Sequence, residues 1–178
     1  GMQLSLEDLK IRGAGEILGE KQHGTIETFG YDLYIKMLQK EIEVQKGTYV
    51  EKTSNIDINI KNKGFIPENY IKKKKKLSVY KRFIMLNKKE DLEELLGEVK
   101  DRFGKFPREF EDFVNYMRVK IFAQNNDIIK VKQKGNIFEL ESTKNISQEV
   151  INMLLLKNEQ INNKIFRVNR EIFLKKIT

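Results

Sequence analysis

Cysteine is absent from this 178-residue chain, and histidine occurs once. The lack of cysteine excludes disulfide frameworks and thiolate metal sites, and it suits a reducing compartment. The lone His23 cannot assemble a metal site without carboxylates nearby, and its neighbours Gln22 and Gly24 supply none. With no cysteine and a single histidine, nucleophilic triads based on those residues are nearly excluded. The residues indicate an interaction or regulatory protein rather than a complete enzyme.

Long hydrophobic runs are also missing. No apolar stretch approaches the roughly 20 residues needed to span a bilayer, and the N-terminus has no signal-peptide pattern. Hydrophobic residues make up 39% of the chain, which is enough to build a core. We therefore expect a cytoplasmic protein that has no membrane partner.

The positive charge of the chain is concentrated in one segment. The formal net charge is +8, and residues 61–82 alone hold nine Lys/Arg against one acid. A functional interpretation of the lysine run is contact with nucleic-acid phosphates, with a salt-dependent affinity. The alternative is a solvated helix face with some stems passing over the core, and the sequence favours it. The run consists of Lys72, Lys73, Lys74, Lys75 and Lys76.

Hydrophobic periodicity and turn residues predict an α+β fold. An N-terminal helical hairpin appendage (1–47) and a linker (48–55) precede a compact mixed domain (56–178), with a small, largely antiparallel sheet. Asn87 and Ser147 are expected to cap helices. The expected helices are 5–12, 30–46, 67–86, 88–103, 107–122 and 147–157, and the expected strands are 56–60, 127–133, 137–142, 164–168 and 171–176, the last two forming a hairpin around Asn169-Arg170.

The helix predicted at 88–103 carries an acidic stripe opposite its leucine face. At 100° per residue, four carboxylates fall within about 80° of one another. Like charges four residues apart cost roughly 0.2–0.5 kcal/mol per pair. The stripe is either a solvated face or a docking surface for a basic partner, and periodicity alone does not choose between them. Its members are Glu90, Glu94, Glu98 and Asp101.

The most specific segment is residues 8–24, DLKIRGAGEILGEKQHG. It lacks the Gly-x-x-x-x-Gly-Lys-Ser/Thr string of a P-loop, and its glycines have the wrong spacing for a dinucleotide fingerprint. It resembles the translocation motif of double-stranded DNA translocases, namely RecG helicase and the bacterial transcription-repair coupling factors (Mfd). The stretches Asp91–Leu95 and Glu98–Gly104, followed by Phe106-Pro107, resemble the C-terminal domain of the coupling factors, which RecG lacks.

The resemblance implies a C-terminal fragment of an ATP-driven bacterial DNA translocase that couples transcription to nucleotide excision repair. ATP and magnesium would bind the absent RecA-like lobes, so no cofactor is expected in this chain. Partners of the parent would be RNA polymerase, UvrA and double-stranded DNA. Residues 1–47 would be the tail of the second lobe, and its hairpin would couple ATP hydrolysis to movement. The matching positions are Arg12, Gly13, Gly15, Gly19, Gln22, His23 and Gly24.

The resemblance also gives residues 56–178 a role. In the coupling factors this domain has no catalytic function: it docks on the UvrB-like N-terminal module of the same protein and masks the surface that recruits UvrA. Glu98 and Asp101 match the acidic pair of that contact, with Glu94 on the same face. The resemblance therefore favours the docking interpretation of the acidic stripe.

Overall fold

A computed structural model describes residues 56–154 and 159–178. The translocation-motif residues, the helices expected before residue 47 and the proposed 48–55 linker lie outside the described residues. Five helices and five strands occur in the described part, which is an α+β arrangement. In chain order they are β1 (Asp57–Asn59), α1 (Lys73–Ile84), α2 (Lys89–Phe103), α3 (Arg108–Asn125), β2 (Ile128–Lys134), β3 (Ile137–Ser142), α4 (Gln148–Leu154), β4 (Glu159–Asn162), β5 (Ile165–Asn169) and α5 (Arg170–Ile177).

The five strands form one mixed sheet in the order β1-β2-β3-β5-β4. Only β1 and β2 pair in parallel; the other neighbours are antiparallel. Alternation along the strands places one side chain in two on the core face. That face includes Ile58, Val131, Phe138, Leu140, Phe166 and Val168. The two-residue turn at Gly135-Asn136 joins β2 to β3, as the sequence predicts.

An aromatic cluster packs helices α1 and α3 against each other on the inner side of the sheet. Helix α3 packs against β2, α2 and α5. Its Phe110 and Phe113 meet Phe83 of α1, with ring centroids 5.9 and 5.2 Å apart. Edge-to-face pairs of this kind add about 0.5–1.5 kcal/mol to simple burial. The aromatic cluster therefore fixes α1 and α3 against each other.

The predicted start of the first helix in this domain is wrong. Pro67 opens a single turn, in which the amides of Tyr70 and Ile71 donate to its carbonyl, and α1 begins only at Lys73. Lys72 has an extended ψ of 147° that interrupts the helix. Ile71 is fully buried there, and the Tyr70 hydroxyl donates to the Gly104 carbonyl at 3.0 Å. Tertiary contacts to the turn thus override a continuous helix.

The predicted C-terminal hairpin is also wrong. Residues 170–177 form helix α5, because the Asn169 side chain accepts from the amides of Glu171 and Ile172 and caps it. Phe173 and Ile177, four residues apart, are both buried on its inner face. The strand that pairs with β5 is instead β4, which the sequence reading missed.

The two expected caps have different outcomes. Ser147 caps α4 as predicted, since its hydroxyl accepts from the Val150 amide at 3.3 Å. The predicted cap at Asn87 is wrong: α2 has Lys88 at its N-cap, and no side chain caps this helix. The Asn87 carbonyl instead accepts from the Asn125 side chain at 3.1 Å, and this bond ties the loop to the end of α3.

Candidate docking surface on helices α1 and α2

The acidic stripe lies on the solvent side of α2, as the sequence predicts. Leu92, Leu95, Leu96 and Val99 are buried on the opposite side of this helix. Glu90, Glu94 and Asp101 are exposed, and 42% of the Glu98 side chain is accessible. The stripe therefore presents four carboxylates along one face of a helix that the core holds in place.

A groove of about 570 Å³ runs between α1 and α2, and we call it the α1–α2 groove. From α2, Asp91, Glu94 and Glu98 supply carboxylates, and Leu95 lies among them. The segment of α1 and the two residues after it supply Ser78, Lys81, Arg82, Met85 and Leu86. Glu94 and Glu98 thus belong to both the stripe and the groove, whereas Asp101 lies one turn farther along α2.

Arg82 closes one side of this groove by pairing with Glu98. Its two terminal nitrogens donate to the two carboxylate oxygens at 2.7 and 2.8 Å, which is a bidentate geometry. The hydrogen bond from Arg82 holds the pKa of Glu98 below its ordinary value. Arg82 itself has a raised pKa, chiefly because of the same bond, with a smaller contribution from Glu94. The carboxylate predicted to dock a partner is therefore already bound to an arginine of its own domain.

The sequence pattern does not predict that Arg82 and Met85 belong to the site. Arg82 is 16 residues from Glu98 in sequence, so no helical spacing connects them. Met85 follows α1 and is 62% exposed. The available signal was a basic last turn on α1, Lys81 and Arg82, followed by an apolar residue, and it was not specific enough to predict an ion pair.

The lysine run divides between surface and core. Lys72, Lys73, Lys74 and Lys75 are exposed at the start of α1. Lys76 is only 5% exposed and shares the inner face of α1 with Val79, Tyr80 and Phe83. One of the five lysines thus lies on the core side of α1, where the lysine run predicted that some stems would pass. None of these lysines lines the α1–α2 groove.

Other site chemistry is sparse in the described part of the chain. Among residues 56–154 and 159–178, no group of three His, Cys, Asp or Glu side chains could hold a metal ion. None of the described helices combines the length and hydropathy needed to cross a membrane.

Comparison with known proteins places this surface in a known domain. The family described as "TRCF domain" matches residues 60–153. The chain is 34% identical over 164 residues to a transcription-repair-coupling factor of Borreliella burgdorferi, which covers 90% of this chain. It is 36% identical over 152 residues to one of Bacillus subtilis, covering 84%. The chain spans only 15% and 13% of these two relatives.

A solved structure shares the fold. The C-terminal domain of a transcription-repair coupling factor superimposes with a TM-score of 0.52 at 17% identity, covering 72% of this chain and 91% of that one. Its low sequence identity makes it a likeness of fold alone. The family match, which extends over more than half of the chain, establishes the relation: this chain belongs to the transcription-repair coupling factor family.

Proposed function

We propose that this chain is the regulatory C-terminal part of an ATP-driven DNA translocase, and that its α2 stripe docks on a UvrB-like module of the same protein. The docked state would mask the recruitment surface for UvrA and restrain the ATPase. The observation that carries the proposal is that Glu94 and Asp101 are exposed, and the Glu98 side chain is 42% accessible, on a helix whose other face is fully packed. Family membership supplies the setting for this surface.

The proposed contact is electrostatic and reversible. Charged groups at the rim of an interface set orientation and association rate more than total affinity. The docked domain must also be able to dissociate from the module. The coupling free energy between docked and free states should therefore lie in the range of about 1–3 kcal/mol. Exposed carboxylates on a rigid helix meet both conditions, because they require little rearrangement on docking.

The N-terminal part of the chain has a separate proposed role. By resemblance, Arg12, Gln22 and the glycines near them would couple ATP hydrolysis in RecA-like lobes to movement on double-stranded DNA. Arginine can bridge several acceptors at once, and glycine permits tight turns. The ATP chemistry itself would reside in the parent protein rather than in this chain.

Reversing two charges of the stripe tests the docking. We expect Glu98→Lys plus Asp101→Lys to weaken binding of the chain to the separately expressed UvrB-like module by tenfold or more, since each substitution replaces an attraction by a repulsion. Isothermal titration calorimetry at fixed salt measures the change. The matched control is Glu111→Lys plus Glu171→Lys, which changes the net charge equally on α3 and α5. Equal loss in both variants would reduce the effect to net charge and contradict specific docking.

A second candidate function is binding of nucleic acid, favoured by the four exposed lysines at 72–75 and by the absence of acids in the first turn of α1. It predicts that the chain binds duplex DNA and that the logarithm of the binding constant falls steeply with the logarithm of the salt concentration. Neutralising all four lysines to glutamine should then reduce that slope by roughly 3–4. A fluorescence titration of duplex DNA between about 50 and 200 mM salt measures it. Binding that is unaffected by these substitutions would remove this candidate.

A further inference from the structure

Arg82 forms an ion pair with Glu98, which is the central carboxylate of the proposed docking surface. Both oxygens of Glu98 accept from the guanidinium, so one complete bidentate partner is already in place. A second arginine cannot form the same two-bond contact until Arg82 leaves. The internal pair therefore competes directly with any arginine that the partner module presents to Glu98.

Arg82 can leave because its pair is open to solvent. The accessible fractions of the two side chains are 49% for Arg82 and 42% for Glu98. Exposed pairs of this kind contribute little net stability, since water solvates both groups after separation. Exchange of one arginine for another at Glu98 is thus a small rearrangement that leaves the packed face of α2 untouched.

The groove beside this pair also offers an apolar contact. Met85 lies one turn beyond Arg82 and is 62% exposed, with Leu86 and Leu95 lining the same groove. Methionine is flexible and polarizable, so it adapts to the shape of an incoming side chain. The opposite wall carries the carboxylates of Asp91 and Glu94. The lining fits a segment that has a cationic side chain next to an apolar one.

We propose that Arg82 is a built-in competitor: it occupies Glu98 until an arginine-bearing segment of the UvrB-like module enters the α1–α2 groove and displaces it. An apolar side chain of the same segment would cover Met85. This inference rests on the proposed function and adds an internal competitor for Glu98 and an apolar contact at Met85. Arg82 thereby lowers the affinity of the docked state and keeps it reversible.

Removing the competitor should strengthen docking. We expect the Arg82→Gln variant to bind the UvrB-like module about two- to fivefold more tightly than the Lys81→Gln variant. This range follows from the small free energy that an exposed ion pair contributes. Lys81→Gln is the matched control, because Lys81 lines the same groove and its loss changes the charge equally without freeing Glu98. Calorimetric titration of the 178-residue chain against the module gives both affinities.

A Glu98→Gln background separates exchange from general charge effects. There the Arg82→Gln and Lys81→Gln changes should have equal effects, because no carboxylate remains to be freed. Met85→Gln should weaken binding about threefold or more while thermal unfolding stays near that of the unaltered chain. Arg82→Gln binding equal to or weaker than Lys81→Gln binding would overturn the exchange, since Arg82 would then be a bystander or would position Glu98.

The controls separate failure of this inference from failure of the proposed function. If Glu98→Lys plus Asp101→Lys abolishes binding while Arg82→Gln matches Lys81→Gln, docking stands and the exchange is wrong. If the stripe reversal leaves binding unchanged, the proposed function fails, and the exchange at Glu98 fails with it. If the unaltered chain does not bind the module at about 100 µM, which is on the order of the dissociation constant of a weak interface, both the proposed function and the exchange are overturned.

Discussion

Replacing Gly64 by alanine is expected to destabilise the described domain by about 3–5 kcal/mol. Gly64 has a φ of +63°, which an L side chain adopts at a cost. An added Cβ would also overlap with the Phe113 amide nitrogen, the Glu109 carbonyl oxygen and the Asp112 carbonyl carbon. All three are backbone atoms of α3, so no side-chain rotation relieves the overlap. The loop before α1 would have to move away from α3.

That loop is held closely by two hydrogen bonds. The Phe65 amide donates to the Glu109 carbonyl at 3.0 Å, and the Ile66 amide donates to the buried Tyr80 hydroxyl at 2.8 Å. Displacing the loop strains both bonds, and a buried amide left without an acceptor costs about 1–3 kcal/mol. The close approach at Gly64 is therefore part of how β1 is joined to the helices.

Urea denaturation followed by circular dichroism measures the effect, with Gly97→Ala as the control. Gly97 is exposed within α2, and an added Cβ there meets nothing within 4 Å. Alanine at this position should stabilise the domain by about 0.5–1 kcal/mol through better helix propensity. A Gly64→Ala variant within 1 kcal/mol of the unaltered chain would show that the loop does not contact α3 as described.

The sequence predicts those elements whose signals are local. Helix α2 repeats leucine at helical spacing and ends at Gly104, which has a φ of +84°. The hairpin of β2 and β3 follows from two short runs with strand-forming residues on either side of a glycine turn at Gly135. Ser147 lies one residue before α4 and caps it. In each case the residues that determine the element are neighbours in the chain.

The elements that the sequence reading missed depend on distant contacts. Ile165–Asn169 and the residues that follow resemble the two strands of a hairpin. Phe173 and Ile177 also fit one face of a helix, and packing of α5 against α3 selects the helix. Strand β4 forms through its pairing with β5 rather than through a strong pattern of its own. Tertiary context overrides short, ambiguous patterns of this kind.

The candidate site likewise has one part that the sequence predicts and one part that depends on distant contacts. Periodicity on α2 predicts which carboxylates share a face, and the exposed Glu94 and Asp101 and the partly exposed Glu98 agree with it. The bond between Arg82 and Glu98 joins two helices, and its formation depends on how α1 and α2 pack. An acidic stripe alone suggests four free carboxylates. The structure instead shows that one of them has an internal cation partner, which changes how its removal should be interpreted.

In the full-length parent protein, Glu98→Lys plus Asp101→Lys is expected to raise both UvrA binding and ATPase activity. Loss of docking would shift the population towards the state with an unmasked recruitment surface, and a coupling of about 1–3 kcal/mol corresponds to roughly 5–150-fold. UvrA affinity measured by surface plasmon resonance and steady-state ATP hydrolysis without DNA give the two readouts. Glu111→Lys plus Glu171→Lys in the same parent controls for added positive charge.

The two readouts together identify the mechanism. Both should rise in the stripe variant, because one docked state restrains both activities under the proposed function. If UvrA binding rises while the ATPase rate does not, the stripe masks the recruitment surface without restraining the motor. Arg82→Gln in the same parent should act in the opposite direction and lower UvrA binding, since it frees Glu98 for the module. Stripe reversal with neither activity changed would remove docking through α2 as the regulatory contact.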